Sequence, residues 1–205
     1  MIAVPSLDGL TARVPVLWRA LAAMLVLCGL ILLVVESRAR ILRSGVEIRL
    51  KTAPVDPRDL FRGDYVVLGY EIGTIELAGL DGDKAFRRGD PIHVRLGADA
   101  EGFAVVRGAF RSRPAGAGTV IAGRVSSTVA CRFGEDGASD CGQPNSRLRV
   151  DYGLESYFVP QGRGRAIERT ERRRVEIVAA VSSSGEAAIK RLLIDGKLVH
   201  AEPPY

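Results

Sequence analysis

From Ala20 to Val35 the chain runs sixteen consecutive residues without a charge or a strongly polar group. Val16, Leu17 and Trp18 extend the run beyond Arg19, giving an apolar stretch of about 20 residues, the length of helix that spans roughly 30 Å of hydrocarbon. Arg19 sits near one end, where a long side chain can reach the headgroups, and Trp18 suits the interfacial belt. Pro15 stands where a first helical turn tolerates proline. A cleaved signal peptide has a shorter apolar region, about 7–15 residues, closed by a small-x-small site. Here Leu32-Leu-Val-Val35 runs straight into Glu36-Ser-Arg38, and Ala39 is the one small candidate beyond. The run is therefore read as a retained single-span anchor: an N-terminal tail over 1–13, a transmembrane helix over 14–36, a juxtamembrane linker over 37–45, and a soluble domain over 46–205.

The formal net charge of the whole chain is +5. Residues 1–43 hold five arginines against Asp8 and Glu36, and residues 44–205 hold 24 basic against 22 acidic residues. The basic excess thus flanks the apolar run, and the domain lacks the footprint of a nucleic-acid binder. Orientation draws two opposed arguments. Arg38, Arg40 and Arg43 slightly outweigh Arg13 and Arg19, which by the positive-inside rule turns the domain to the cytoplasm. Cys131 and Cys141 flank nine residues rich in Gly, Asp and Ser, and flanking strands that bring them within disulfide distance belong in an oxidising compartment. The second argument is preferred, which puts the domain on the periplasmic side of a bacterial cytoplasmic membrane. Cys28 lies within the apolar run, and a metal site at Cys131 and Cys141 would need more ligands, while the two histidines, His93 and His200, are far off in sequence.

Beyond the anchor the pattern is that of strands. Val46–Lys51 alternates apolar and charged residues, as a half-buried strand does. Tyr65–Ile72 reads as one buried strand, Gly79–Asp83 as a loop, and Ile92–Leu96, Phe103–Arg107, Thr119–Val125 and Leu148–Tyr152 as further strands. Arg174–Val181 and Ala188–Ile194 form a hairpin across Ser182–Gly185, and Asp195-Gly196 is a tight-turn signal into Lys197–His200. Arg165–Arg174 has no Gly or Pro and is rich in helix formers, which predicts one short helix. The expectation is a mainly β domain, a small barrel or sandwich with one short helix.

Two turn signals echo one another. Gly63-Asp64 and Gly89-Asp90 each stand directly before a strand. An aspartate in such a turn accepts hydrogen bonds from nearby backbone N–H groups. The first lies in Pro54-Val-Asp-Pro-Arg-Asp-Leu-Phe-Arg-Gly-Asp-Tyr-Val-Val-Leu-Gly-Tyr-Glu-Ile72. This string resembles the GDYXXLXY protein family, with Gly63, Asp64, Tyr65, Leu68 and Tyr70 filling the defined positions. Tyr152–Pro160 and Ala188–Gly196 resemble later family segments, and Gln161 departs from the acidic residue expected there. The resemblance implies one N-terminal span followed by a β-rich domain, no established reaction, and a polytopic membrane protein as the expected partner.

Three functional readings follow. In the first, the chain is a membrane-tethered interaction protein, and the motif is a structural corner. In the second, Asp56, Arg58, Asp59, Arg62, Asp64 and Tyr70 form a small-ligand or ion site. Tyr65 and Tyr70, five apart on one strand, then point to opposite faces and form no common stacking platform. The third is a diverged signal-peptidase-like enzyme, since those enzymes combine a span with a β-rich outer domain. Ser37 and Ser44 lack the Met and Pro of that family's nucleophile context, Lys51 and Lys84 lack the context of its base, and a nucleophile without an aligned base is not activated. No catalytic residue, cofactor or metal is therefore expected. A separate basic segment, Arg163, Arg165, Arg169, Arg172, Arg173 and Arg174 with Glu168 and Glu171, reads as a solvated helix or as a contact for anionic lipid or an acidic partner.

Overall fold

The structure is a computed structural model, and it describes residues 15–53, 65–116, 118–129, 132–133, 139–140, 147–158 and 174–203. The chain divides into two compact units, Met1–Arg40 and Ile41–Tyr205.

Helix α1 covers Val16–Ser44. Its first turn is closed by the Pro15 carbonyl, which accepts from the Trp18 and Arg19 amides at 3.0 and 3.3 Å. The 29 residues extend about 43 Å at 1.5 Å per residue. The apolar side chains from Val16 to Val35 are almost all exposed, and the helix is long and apolar enough to cross a membrane. The segment expected as a linker over 37–45 is helical as far as Ser44. Arg38-Ala-Arg-Ile-Leu-Arg43 consists of residues that fit a helix and contains neither Gly nor Pro. Ile41 and Leu42 are buried together with Ala180 and Ala188, which anchors the last turn within the second unit. Gly45 ends the helix, its amide bonded to the Ile41 carbonyl at 2.9 Å. A Cβ at Gly45 would stand 2.6 Å from that carbonyl oxygen and 3.0 Å from the Ala180 Cβ, so this position admits only glycine without a shift.

Fifteen strands follow among the described residues. In chain order they are β1 Val46–Ala53, β2 Tyr65–Val67, β3 Gly69–Tyr70, β4 Thr74–Glu76, β5 Asp81–Gly82, β6 Pro91–Ala98, β7 Ala104–Phe110 and β8 Thr119–Val129. Then come β9 Arg132–Phe133, β10 Ser139–Asp140, β11 Arg147–Asp151, β12 Ser156–Phe158, β13 Val175–Val181, β14 Ala187–Ile194 and β15 Lys197–Ala201. They build a five-stranded sheet, β15-β14-β13-β1-β3, a six-stranded sheet, β4-β11-β8-β6-β7-β5, and two short ladders, β12-β2 and β10-β9. Among the described strands the β5–β7 ladder is parallel and the other ladders are antiparallel.

Alternation explains how the two large sheets share one core. In β1, Ile48, Leu50 and Thr52 are buried while Glu47 and Arg49 face out. In β6, Ile92, Val94 and Leu96 are buried. The apolar ones among them join Ile121, Leu148, Ile177 and Leu192 in a single cluster. The sheets also meet through main chain. The Ala122 amide on β8 donates to the Gly185 carbonyl in the β13–β14 turn at 2.8 Å, and Arg49 bridges to Phe103 just before β7. The mainly β fold is as expected, and so is the Asp195-Gly196 turn, where both residues take positive φ, 51° and 71°.

One strand is corrected. Tyr65–Ile72 is not continuous: β2 pairs with β12, the chain breaks at Leu68, β3 pairs with β1, and a 3₁₀ turn covers Glu71–Gly73. An apolar run is compatible with a change of partner strand, because burial persists across the change. The interval Gly79–Asp83, expected as a loop, contains the two-residue strand β5. The expected short helix over 165–174 lies outside the described residues except for Arg174.

Candidate functional site

Two polar networks stand out. The first is the corner built by the C-terminal half of the motif. Leu68 and Tyr70 are both buried, at 3% and 4% exposure. The Leu68 amide donates to the Glu155 carbonyl at 2.8 Å. The Tyr70 hydroxyl donates to the Leu154 carbonyl at 2.7 Å, and the Tyr152 hydroxyl donates to the Ile72 carbonyl at 2.8 Å. The Tyr152 amide in turn donates to the Glu155 carboxylate. Two segments thus brace each other reciprocally, each lending a phenol to the other's main chain. Burial, with the Glu155 charge second, pushes both phenols well above the ordinary tyrosine range. They are held neutral, as hydrogen-bond donors, which is the role of a structural clasp.

Asp56, Arg58, Asp59, Arg62, Gly63 and Asp64 lie outside the described residues, and Tyr65 is described in its backbone alone, paired to Phe158. The argument that Tyr65 and Tyr70 point to opposite faces assumed one strand, and the break at Leu68 removes that premise. The second Gly-Asp turn shows the expected chemistry. Gly89 has φ +91°, and the Asp90 carboxylate accepts from the Arg87 amide at 2.9 Å. Cys131 and Cys141 lie outside the described residues. In sequence they adjoin Arg132 and Asp140, which pair antiparallel. Of the basic segment, Arg163, Arg165, Arg169, Arg172 and Arg173 lie outside the described residues. Arg174 pairs with Asp195, its Nε 3.0 Å from Oδ1, and this contact holds the Asp195 carboxyl below its usual range. Tyr157 is buried in the core cluster, as the sequence reading favoured. Its hydroxyl has no hydrogen-bond partner among the described residues.

The second network covers the outer face of the five-stranded sheet. Period-two alternation puts Glu47, Arg49 and Lys51 of β1 on that face, and pairing brings β13 and β14 alongside. The Glu47 carboxylate bonds Lys190 at 2.9 Å and also Arg191; the Lys190 bond is the main reason its carboxyl lies below the usual range. Arg49 bonds Glu176 at 2.9 Å. Lys51 bonds Glu101 at 3.0 Å and Asp99 at 3.4 Å, and the Glu101 contact raises its pKa. Asp99 organises the β6–β7 turn by accepting from the Phe103 and Glu101 amides at 2.8 and 2.9 Å, and the Phe103 amide leads in lowering its pKa. Phe103 lies under two cations, the Arg49 guanidinium at 4.4 Å and the Lys51 ammonium at 4.6 Å from the ring centroid. An open cleft of about 440 Å³ runs beside this face, lined by Glu47, Arg49, Gly97, Gly102 and Arg191 among others. The sequence pattern held a signal for this network in the three charges of β1, but their partners come from segments some 50 to 140 residues away.

Among the described residues, the resolved shifts move groups away from neutrality: carboxyls down, the lysine and the phenols up. Satisfied pairs and burial account for these directions. Among the described residues no three His, Cys, Asp or Glu side chains come together as a metal cluster.

With the corner and the charged face in view, the comparison with known families is informative. The sequence model of the GDYXXLXY protein family matches residues 27–192. The chain belongs to that family. The GDYXXLXY match begins within α1 and ends in β14, so it spans part of the apolar helix and most of the β domain. No curated protein and no solved structure matches the chain. Within the family string, Leu68 and Tyr70 are the positions whose side chains the structure accounts for, and both serve the core.

Proposed function

We propose that the chain is a non-enzymatic interaction protein of the bacterial cell envelope, held in the cytoplasmic membrane by α1 and working with a polytopic membrane partner. The observation that carries this reading is α1. It is a helix long enough to span a bilayer, with its apolar surface exposed, and it leads through Gly45 straight into β1. An exposed apolar helix of this length needs lipid or another helix around it.

The β domain is assigned to the extracytoplasmic side. The support is the pair Cys131 and Cys141, which flank a β9–β10 ladder in antiparallel register, a setting that suits a loop-closing disulfide. The interaction role, in preference to catalysis, draws support from the shifts away from neutrality and from the paired, alternating charges on the outer face. Such charges orient a partner more than they add raw affinity. The near-neutral charge of the domain disfavours nucleic acid as partner.

Membrane fractions test this directly. The protein should resist carbonate extraction, and an impermeant thiol reagent should reach Cys131 and Cys141 in intact cells only after reduction. A polytopic protein should co-purify in mild detergent. Recovery of the protein in the carbonate wash, or labelling by a serine-hydrolase probe, would overturn the reading.

A further inference from the structure

A second cavity of the β domain, about 430 Å³, lies at the start of β1. Its lining includes Ser44, Val46, Arg113, Thr119, Ser182 and Ser183, all within the second compact unit. Two connecting segments contribute to it, the one after β7 that carries Arg113 and the β13–β14 turn that carries Ser182 and Ser183. The size falls within the range of small-ligand sites.

Several cations of the domain are taken up by protein groups. Arg49 and Arg191 each bond a carboxylate, and Arg111 and Arg124 bond main-chain carbonyls. Arg113 differs. It is exposed, and among the described residues no ion pair or hydrogen bond engages its guanidinium. Arg88 is another such arginine, but it lies outside the cavity.

The β13–β14 turn adds donors. The Ser182 amide donates to the Glu186 carbonyl at 2.8 Å, and the Gly185 amide donates to the Ser182 carbonyl at 3.0 Å. These bonds close the turn and leave the Ser183 and Ser184 amides without a partner among the described residues. The Ser182 and Ser184 hydroxyls bond each other at 2.7 Å, whereas no hydrogen bond engages the hydroxyl of Ser183 or Thr119 among the described residues. No carboxylate lines the cavity. Glu186, the acid of the same turn, is 3.4 Å from the Ser184 hydroxyl and is not a lining residue.

One guanidinium and two hydroxyls thus come to a single cavity from three places in the chain, the segment after β7, the start of β8 and the β13–β14 turn. With no acidic group to compete, that donor set suits an anion with several acceptor oxygens. We infer that the cavity binds a soluble oxyanion of the phosphate or sulfate class, with Arg113 as the charged contact and Thr119 and Ser183 as hydroxyl donors. The site lies wholly within the β domain, so it stands or falls independently of the membrane reading.

The test uses the full-length protein in a neutral detergent. Inorganic phosphate is titrated at constant ionic strength in a chloride background, and binding is read by calorimetry. The wild type should show one saturable site with an affinity in the millimolar range or tighter, and sulfate should compete for it. Arg113→Gln should lose about tenfold in affinity, the scale of one hydrogen bond to a charged group. Arg113→Lys should lose less, because it keeps the charge without the fork. Thr119→Val with Ser183→Ala should also lose less than Arg113→Gln. Arg88→Gln should bind as the wild type does. Arg113 has no partner to strand, so Arg113→Gln should keep the wild-type melting curve without phosphate and lose the rise in Tm that phosphate gives the wild type. No saturable binding in the wild type, or unchanged affinity in Arg113→Gln, would overturn the assignment. An equal loss in Arg88→Gln would overturn it in favour of general surface charge.

Discussion

The clasp at the motif corner and the charge network on the outer face of the five-stranded sheet are made of comparable polar atoms in opposite surroundings. In the clasp, two phenols meet two main-chain carbonyls where water is excluded. On the outer face, Glu47, Arg49, Lys51 and their partners meet in the presence of solvent. The buried network cannot be traded for water, so it fixes where the chain turns. The exposed network exchanges with water at little cost, so its pairs can rearrange without disturbing the core. The difference teaches that a family-defining tyrosine can be a folding determinant, while the exposed charge network sits on residues the family string does not name.

Truncation should separate the two networks most strongly. Tyr70→Ala should lower domain stability by about 3–5 kcal/mol, the range for deleting a buried aromatic side chain, as read from denaturant unfolding. A loss below about 1 kcal/mol would show that the corner does not carry the core. Tyr70→Phe keeps the ring and strands the Leu154 carbonyl, so it should cost about 1–3 kcal/mol. Tyr152→Phe should match it, because the Ile72 carbonyl is stranded in the same way. Unequal losses would break the symmetry of the clasp.

On the outer face, Glu47→Ala should cost no more than about 1 kcal/mol, with the loss shrinking at high salt. If the face orients a partner, co-purification in mild detergent should weaken while stability barely changes. The smallest effect expected is on pH dependence. Glu47, Asp99 and Asp195 have carboxyls depressed on folding. Their contribution is present above the unfolded carboxyl pKa, about 4, and is lost as pH falls through the lower folded values. Acid melts should therefore steepen below about pH 4, and Glu47→Gln should flatten part of that slope. The clasp tyrosines, raised on folding, add nothing to this acid limb.

Several elements were legible because one-dimensional chemistry decides them. The apolar run needs no partner to be a helix. Val46–Lys51 and Ile92–Leu96 alternate with the period of a half-buried strand, and Asp195-Gly196 takes the positive φ its turn demands. Leu68 shows the opposite case. It is apolar and flanked by apolar residues, so nothing in the string distinguishes a strand that continues from one that leaves β12 and joins β1. The segment read as a juxtamembrane linker over 37–45 is helical to Ser44, because helix propensity and the packing of Ile41 and Leu42 carry the helix past the end of the apolar run.

By itself the sequence determined the long apolar helix, the mainly β class, the family and the sites of the turns, since each depends on local composition, periodicity or a contiguous string. Tertiary structure decided which carbonyl each tyrosine reaches, which charges meet across β1, β13 and β14, and that Ser44, Arg113 and Ser183 line one cavity. These are contacts between residues far apart along the chain, and register and sheet order set them only once the whole core is assembled.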